Sequence, residues 1–479
     1  MMKSIYSRFA IILFSILLAS CGTNVEVTMV DPDTETETAA PEITVDPKYE
    51  TDLPVRSFDG ASFVMAVNDN PNIHHSIVPE EETGESLNDA LIRRNVVIEE
   101  TYGVDLQEYL YDYRSPGTLK SSVIAGDESW AIVMLTCPDA LSWWKEDLLI
   151  PFDELPNLDL KKGYWDANIN DSLSIGGVQY IAEGAFNLDI YDLTFCLLFN
   201  KSLTQQFALP SLYDTVLDGK WTMDTMTVMM ETASFDSNGD GTMDEADNWG
   251  YTAHPKMVAP GFWIGNGVTS ISKDAEDTPY ISMMEEQFVT VFENIMALAH
   301  DSNTVYMTTG DNMDIPIECR NIFQENRSLF IDMSFFYMES MRDMETDFGV
   351  LPYPKANEEQ NSYHTRVCYY FPYVVPATNR DTDMTGYLLE ILNYRSYHDV
   401  LPAYYDVCLK TKYSRDEESS EMLDLIFSSR VIDIGDSTLC NVIRDNFIFQ
   451  MMQSNSRDLS SMVAKNEKNI QSNLSKLIQ

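Results

Sequence analysis

The chain is 479 residues long and carries 76 acidic against 31 basic side chains, a formal net charge of -45 at neutral pH. That surplus excludes nucleic acid as a partner, because phosphates need Lys and Arg to displace their counterions, and it disfavours anionic membrane surfaces. At 44% hydrophobic content the composition is globular, and the chain exceeds what a single core supports, so two lobes are expected.

At the N-terminus Lys3 and Arg8 precede an apolar run, Phe9 to Ala19, that is too short to span a bilayer and reads as an export signal. The run ends in Leu18-Ala19-Ser20-Cys21, which resembles a bacterial lipobox: small residues admit the signal peptidase, and the Cys21 sulfur carries the lipid. A short buried helix ending in a stray cysteine fits poorly with the basic pair and the polar tail that follows. Residues 1–20 are therefore expected to be a signal peptide. Residues 21–52, acidic and rich in Thr and Pro, bury too little apolar surface to fold and form an extended tether. These features place the body on the extracellular face of the bacterial cytoplasmic membrane, held by lipid alone.

The body opens with an alternating strand from Ser62 to Val67. Thr83-Gly84-Glu85 then announces a helix in which Leu87, Leu91, Val97 and Ile98 recur at roughly helical spacing, and Gly103 ends it. A strand from Val104 to Tyr109, a helix from about Thr118 and a buried strand from Trp130 to Leu135 follow. Further strands are expected at VQYIAEG (178–184) and LTFCLLFN (193–200), a helix from Trp221 to Ala233, and a mostly helical last hundred residues. Strands alternating with helices predict an α/β fold. Apart from Cys21 the cysteines (Cys137, Cys196, Cys319, Cys368, Cys408 and Cys440) are scattered without a CxxC pair, which excludes a zinc ribbon or redox motif and favours buried thiols.

The sharpest local motif spans Asp236 to Asp247 and matches the calcium-loop spacing D-x-N-x-D-G. Asp236, Asn238 and Asp240 offer side-chain oxygens, Thr242 its carbonyl and Asp244 a direct or water-mediated contact, while Gly241 permits the sharp turn. Asp247 holds the twelfth place, where a bidentate Glu is usual; the shorter Asp resembles dockerin-like loops. The bland alternative is an acidic surface turn. A bound Ca2+ acting as a structural clamp is expected, and no organic cofactor.

Aromatic residues are the second signal. Trp143, Trp144, Tyr191, Phe262, Trp263, Phe336 and Tyr337 fall in or beside loops at strand ends, where flat rings stack on sugar C–H faces; Trp144 and Trp263 are the preferred pair, although such rings are as often core as platform. Catalytic signals are thin: there is no G-x-S-x-G, H-E-x-x-H or G-x-x-x-x-G-K, and the adjacent His74-His75 receive no role.

TGESLNDALIRRNVVIEETYGV, FCLLFNKSL, DGKWTMDTM leading into DSNGDGTMDEADNWGY, FQENRSLF, DFGVLPYPK and YYDVCLKTKYSRDEESSEMLDLIFSSRVIDIG together resemble the carbohydrate-type solute-binding lipoproteins of ABC transporters, distantly like maltose-binding protein. Two departures stand out: Asn326 where the family usually has Gly, and an unusually aromatic TRVCYYFPYVVPATNR (365–380). The resemblance implies a two-lobed type II Venus flytrap, with 53–190 and 331–377 as lobe 1 and 191–330 and 378–479 as lobe 2. It implies crossings near Glu183 to Thr194, Leu329 to Phe335 and Val375 to Arg380. It also implies a hinge cleft lined by Trp143, Trp144, Asp189, Tyr191, Trp263, Phe336 and Tyr337. The function implied is that of a monomeric, non-enzymatic capture subunit that closes on a carbohydrate and delivers it to the membrane permease. A sensor or adhesion lipoprotein stands second and a surface glycosidase, which needs a carboxylate pair, third.

Overall fold

The helix Ser86–Tyr102 stops where Gly103 takes the left-handed conformation (φ 58°) and its N–H bonds back to the Glu99 carbonyl, so that a strand starts at the next residue, as expected. The structure is a computed structural model that describes residues 46–70, 76–308, 317–341, 343–410 and 417–478. The strands in chain order are β1 (Ala61–Asn68), β2 (Val104–Tyr111), β3 (Ile132–Met134), β4 (Leu149–Ile150), β5 (Phe195–Asn200), β6 (Trp249–Ala253) and β7 (Ile271–Lys273). They continue with β8 (Pro279–Ile281), β9 (Val305–Met307), β10 (Ser328–Ser334), β11 (Phe348–Leu351), β12 (Thr365–Arg366), β13 (Tyr373–Pro376) and β14 (Arg430–Val431).

These strands build two five-stranded sheets, ordered β2-β1-β3-β13-β4 and β11-β5-β10-β6-β9. In the first, β1 runs parallel to β2 and β3, and β13 is antiparallel to its neighbours. In the second, β10, β6 and β9 are parallel, while β5 is antiparallel to β10 and β11. Inner strands are covered on both faces, which is why β1 and β10 read as nearly continuous apolar runs: Phe63, Met65, Ala66 and Val67 are buried, and so is every residue of Ser328–Ser334. β7 and β8 form a small hairpin, and β12 pairs with β14. The fold class is mixed α/β with two sheets, as expected.

Several boundaries differ from the sequence reading. Val178 to Gly184 is irregular rather than a strand, because side chains take its backbone N–H groups: Gln179 N donates to Asp153 and Glu183 N to Asn170. β10 and β11 both lie in the second sheet, so residues 331–351 do not belong with the first lobe. β13 lies in the first sheet, as expected; conversely the helix Thr382–Arg395, whose Tyr387, Leu388 and Ile391 pack in one core with Phe63 and Met65, belongs to the first lobe and not to the second. The second crossing therefore lies between β11 and β13, not at 329–335, and the third lies beyond Arg395, not at 375–380. An apolar run suits either sheet equally, and pairing partners are not written in it. The first crossing, between β4 and β5, includes 183–194 as expected. The folded body also begins earlier than the expected tether end: Tyr49 stacks on Tyr397 at 4.8 Å, Asp52 pairs with Lys162 at 2.8 Å, and Asp46–Gln479 forms a compact unit.

At the second crossing, Thr194 pairs with Val367 and Cys368 N donates to the Leu193 carbonyl, so the two connecting segments run as a short antiparallel ladder. Next to it, Arg366 places Nε and Nη2 on the Asp436 carboxylate at 2.5 and 2.8 Å, and Arg444 Nη1 reaches the same carboxylate at 3.2 Å. All three side chains are essentially inaccessible. Desolvation opposes the Asp436 charge, but the two guanidinium groups hold its carboxyl below the ordinary carboxylate range. Cys137, Cys196, Cys319, Cys368 and Cys440 are buried free thiols, and Cys408 is buried as well.

Asp436→Asn leaves two buried guanidinium groups without a counter-charge and is expected to cost about 3–5 kcal/mol in urea unfolding at neutral pH. The native pKa is depressed, so the carboxylate's contribution is present above the unfolded value near 3.9 and disappears as pH falls through the native value. The gap between wild type and variant should therefore shrink below about pH 4; a gap that stays constant down to acid pH contradicts this account.

Candidate ligand-binding site

Ligands of open α/β sheets bind beyond the carboxyl ends of the strands. Here those ends are Asn68 of β1, Met134 of β3, Ala253 of β6, Met307 of β9 and Ser334 of β10. The stretches 71–75 and 309–316, which follow β1 and β9, are outside the described residues, and His74-His75 fall there. Thr136 caps the helix Cys137–Trp144 through the Asp139 N–H, which turns the chain sharply at the end of β3.

A narrow crevice opens among Asn68, Arg94, Met134, Phe186, Asn187 and Asp189. Arg94 is fully buried, donates to the Ile77 carbonyl, Asn95 and Ser396, and lies 5.4 Å from the Phe186 ring. Burial pushes its guanidinium down to about 9, partly opposed by Asp399. Glu183, beside the crossing, is also fully buried; it accepts from Asn187 at 3.0 Å, and burial pushes its carboxyl well above the ordinary range.

The expected site residues separate into three groups. Trp143 and Trp263 are core: each is at most 1% exposed, and the Trp263 indole donates to Asp433 at 2.8 Å. Trp144 is also buried, with its ring 4.6 Å from Tyr180. Asp189 lines the crevice, whereas Tyr191, two residues on along the short helix Asp189–Asp192, lies under Arg430 with 4.2 Å between ring centre and guanidinium. Phe336 and Tyr337 follow β10 directly, are half-buried, and meet edge to face at 5.1 Å. Of the candidates, these two rings keep accessible surface at a strand end.

The aromatic stretch of the second crossing packs beside the Asp436 cluster. Tyr369 adopts φ 69°, a conformation costly for a bulky side chain, and Arg444 lies 4.2 Å over its ring. Tyr370 is buried, and its hydroxyl has no hydrogen-bond partner among the described residues. The unusual aromatic run was visible in the sequence, but not which ring faces which way. Asn326 takes φ 59°, tolerated by Asn, and its carbonyl oxygen accepts from Asn200 and Thr346, so the turn expected to need Gly is formed.

In the Asp236–Asp247 loop five side chains turn onto nearby backbone N–H groups, while Glu245 accepts from the Tyr306 hydroxyl. Asp236 accepts from Gly239 (2.6 Å) and Gly241 (2.7 Å), Asn238 from Asp240, Asp240 from Thr242 and Asp244 from Ala246 (2.8 Å each). Asp247 is buried and accepts from Ser237 and Asp244, closing the loop. The Gly241 N–H leads in holding the Asp236 carboxyl below its usual range. Among the described residues no three His, Cys, Asp or Glu side chains stand together in metal-ligating geometry. The donors present are all oxygens, the set a hard cation takes.

No protein-family profile matches the chain, and no curated protein is similar to it in sequence. Solved structures match in fold. A cyclo/maltodextrin-binding protein complexed with maltotetraose aligns at TM-score 0.58 and 13% identity, over 86% of this chain and 98% of its own. The maltose-binding periplasmic protein of Listeria monocytogenes, in complex with maltose, aligns at 0.56 and 15%, over 87% and 99%. An ABC substrate-binding protein of the same organism, in complex with cycloalternan, aligns at 0.55 and 10%, over 87% and 100%. The fold is that of the ABC solute-binding proteins. In this binding-protein fold the strand-end crevice and the rings of Phe336 and Tyr337 stand where the two sheets' carboxyl ends meet the crossings.

Core and surface rings are separable by experiment. Trp263→Ala should lower stability by about 3–5 kcal/mol, while Phe336→Ala, at a half-exposed site, should cost no more than about 1 kcal/mol. Comparable losses in thermal melts of the two variants would remove Phe336 as a surface platform.

Proposed function

We propose that the chain is the capture subunit of an ABC importer and that its ligand is a carbohydrate. The observation that carries this reading is the pairing of two α/β sheets through three crossings, with strand carboxyl ends directed to the crossings and accessible rings at Phe336 and Tyr337. Apolar rings against sugar faces, beside a crevice lined by the polar side chains of Asn68 and Asp189, is the chemistry such a site offers. The bound maltose, maltotetraose and cycloalternan of the structural neighbours support the same ligand class.

In this reading the ligand binds one sheet's strand ends first, the crossings bend, and the other half closes over it; the closed form then docks on the permease. The protein binds and releases its ligand without turnover. Among the described residues no helix is long and apolar enough to cross a membrane. Attachment to the outer face of the membrane is proposed to rest on a lipid at Cys21, which is outside the described residues, and the body is proposed to work as a monomer.

A calcium ion held by Asp236, Asn238, Asp240, Thr242, Asp244 and Asp247 is part of this proposal. It would pin the loop that joins the helix Met223–Ala233 to β6. Asp240→Ala should then abolish any calcium-dependent rise in Tm, and wild-type melts that coincide with and without calcium would dispose of the ion.

The function itself is tested by a thermal-shift screen of the Asp46–Gln479 body against mono- and oligosaccharides, amino acids and peptides, since a ligand that binds only the folded form raises Tm. A rise with one sugar class, without consumption of that sugar, is the expected result. Silence across sugars with a response to peptides overturns the carbohydrate assignment.

A further inference from the structure

Apart from the strand-end crevice, a groove of about 1410 Å3 opens on the other face of the first crossing. The helix Asp189–Asp192 separates the two, because residues two apart on a helix point away from each other: Asp189 lines the crevice and Tyr191 the groove. One wall comes from 160–171 and 184–185, the other from 397–405 and 421–430. Its volume exceeds the ~300–1,000 Å3 of ordinary small-molecule sites.

Three features of the groove indicate what it takes. Its walls hold four Lys or Arg side chains and four Asp or Glu, so a chain of net charge -45 has here a region where an anion is not repelled. Tyr405 is a half-buried ring on the same wall, met at its edge by Phe427, while Tyr397 is already stacked on Tyr49. Arg430 is 4% exposed and spends one nitrogen, Nη2, on Asp166 at 2.6 Å, while its Nε and Nη1 have no hydrogen-bond acceptor among the described residues. Buried, charged N–H groups without acceptors are costly, and a carboxylate is the strongest acceptor for them. A neutral sugar lacks that charge, and inorganic phosphate lacks a ring to lay on Tyr405.

We infer that this groove is a second ligand site, separate from the strand-end cleft, and that it takes an acidic saccharide, with the carboxylate on Arg430 and the sugar ring against Tyr405. The inference does not depend on which ligand the cleft takes.

The test is calorimetric titration of the Asp46–Gln479 body with glucuronate, glucose and inorganic phosphate. Glucuronate should bind, and neither glucose nor phosphate should compete with it. Arg430→Gln should weaken glucuronate about tenfold or more. Ser428→Trp, which fills the groove from an exposed wall position, should weaken it equally and serves if the first variant fails to fold. Phe336→Ala, in the cleft, should leave it unchanged. No glucuronate binding, binding that survives Ser428→Trp, or loss on Phe336→Ala overturns the second site, and equal binding of phosphate overturns the saccharide assignment.

Discussion

One carboxylate shared by two arginines sits at the joint of this molecule. Asp436, from the C-terminal segment, holds Arg366 of the second crossing and Arg444 of the turn that follows, and none of the three touches water. A buried charge cluster of this kind tolerates little displacement, because each guanidinium that loses its oxygen is left in a medium that cannot solvate it. It therefore fixes where the second crossing begins. The antiparallel contact of Val367 with Thr194 and the placement of Tyr369 and Tyr370 follow from that anchor.

From this joint the chemistry spreads to two faces. Toward the strand ends, the short parallel strands deliver small polar residues and half-buried rings, a mixture suited to a hydroxyl-rich ligand. On the opposite face, the same crossing helix presents Tyr191 beneath a buried Arg430, and there a groove remains open. The two faces share no lining side chain.

The comparison of sequence with structure is instructive at particular residues. Gly103 and Thr222 ended and capped their helices as their chemistry requires, since backbone conformation and local N–H capture are decided within a few residues. Val178 to Gly184 looked like a strand but gave two of its N–H groups to Asp153 and Asn170, which lie on short helices earlier in the chain and which its own pattern does not announce. Trp263 looked like a platform in a loop, yet it lies in the helix Val258–Gly265, and a buried acceptor 170 residues away, Asp433, makes it core. Phe336 and Tyr337 were readable as site candidates because they follow a buried strand immediately. Tyr369 was not, because its left-handed backbone appears only once the crossing is pinned.

By itself the sequence determined what depends on local order and composition: the acidic character of the chain, the alternation of strands and helices, the oxygen-rich loop at Asp236–Asp247, and the helix ends. The tertiary structure decided which sheet each strand joins, which segments cross between the halves, and which aromatic rings are core or surface. Those outcomes depend on contacts between residues hundreds of positions apart, where a buried run of Leu, Phe and Met fits more than one partner and only packing selects among them.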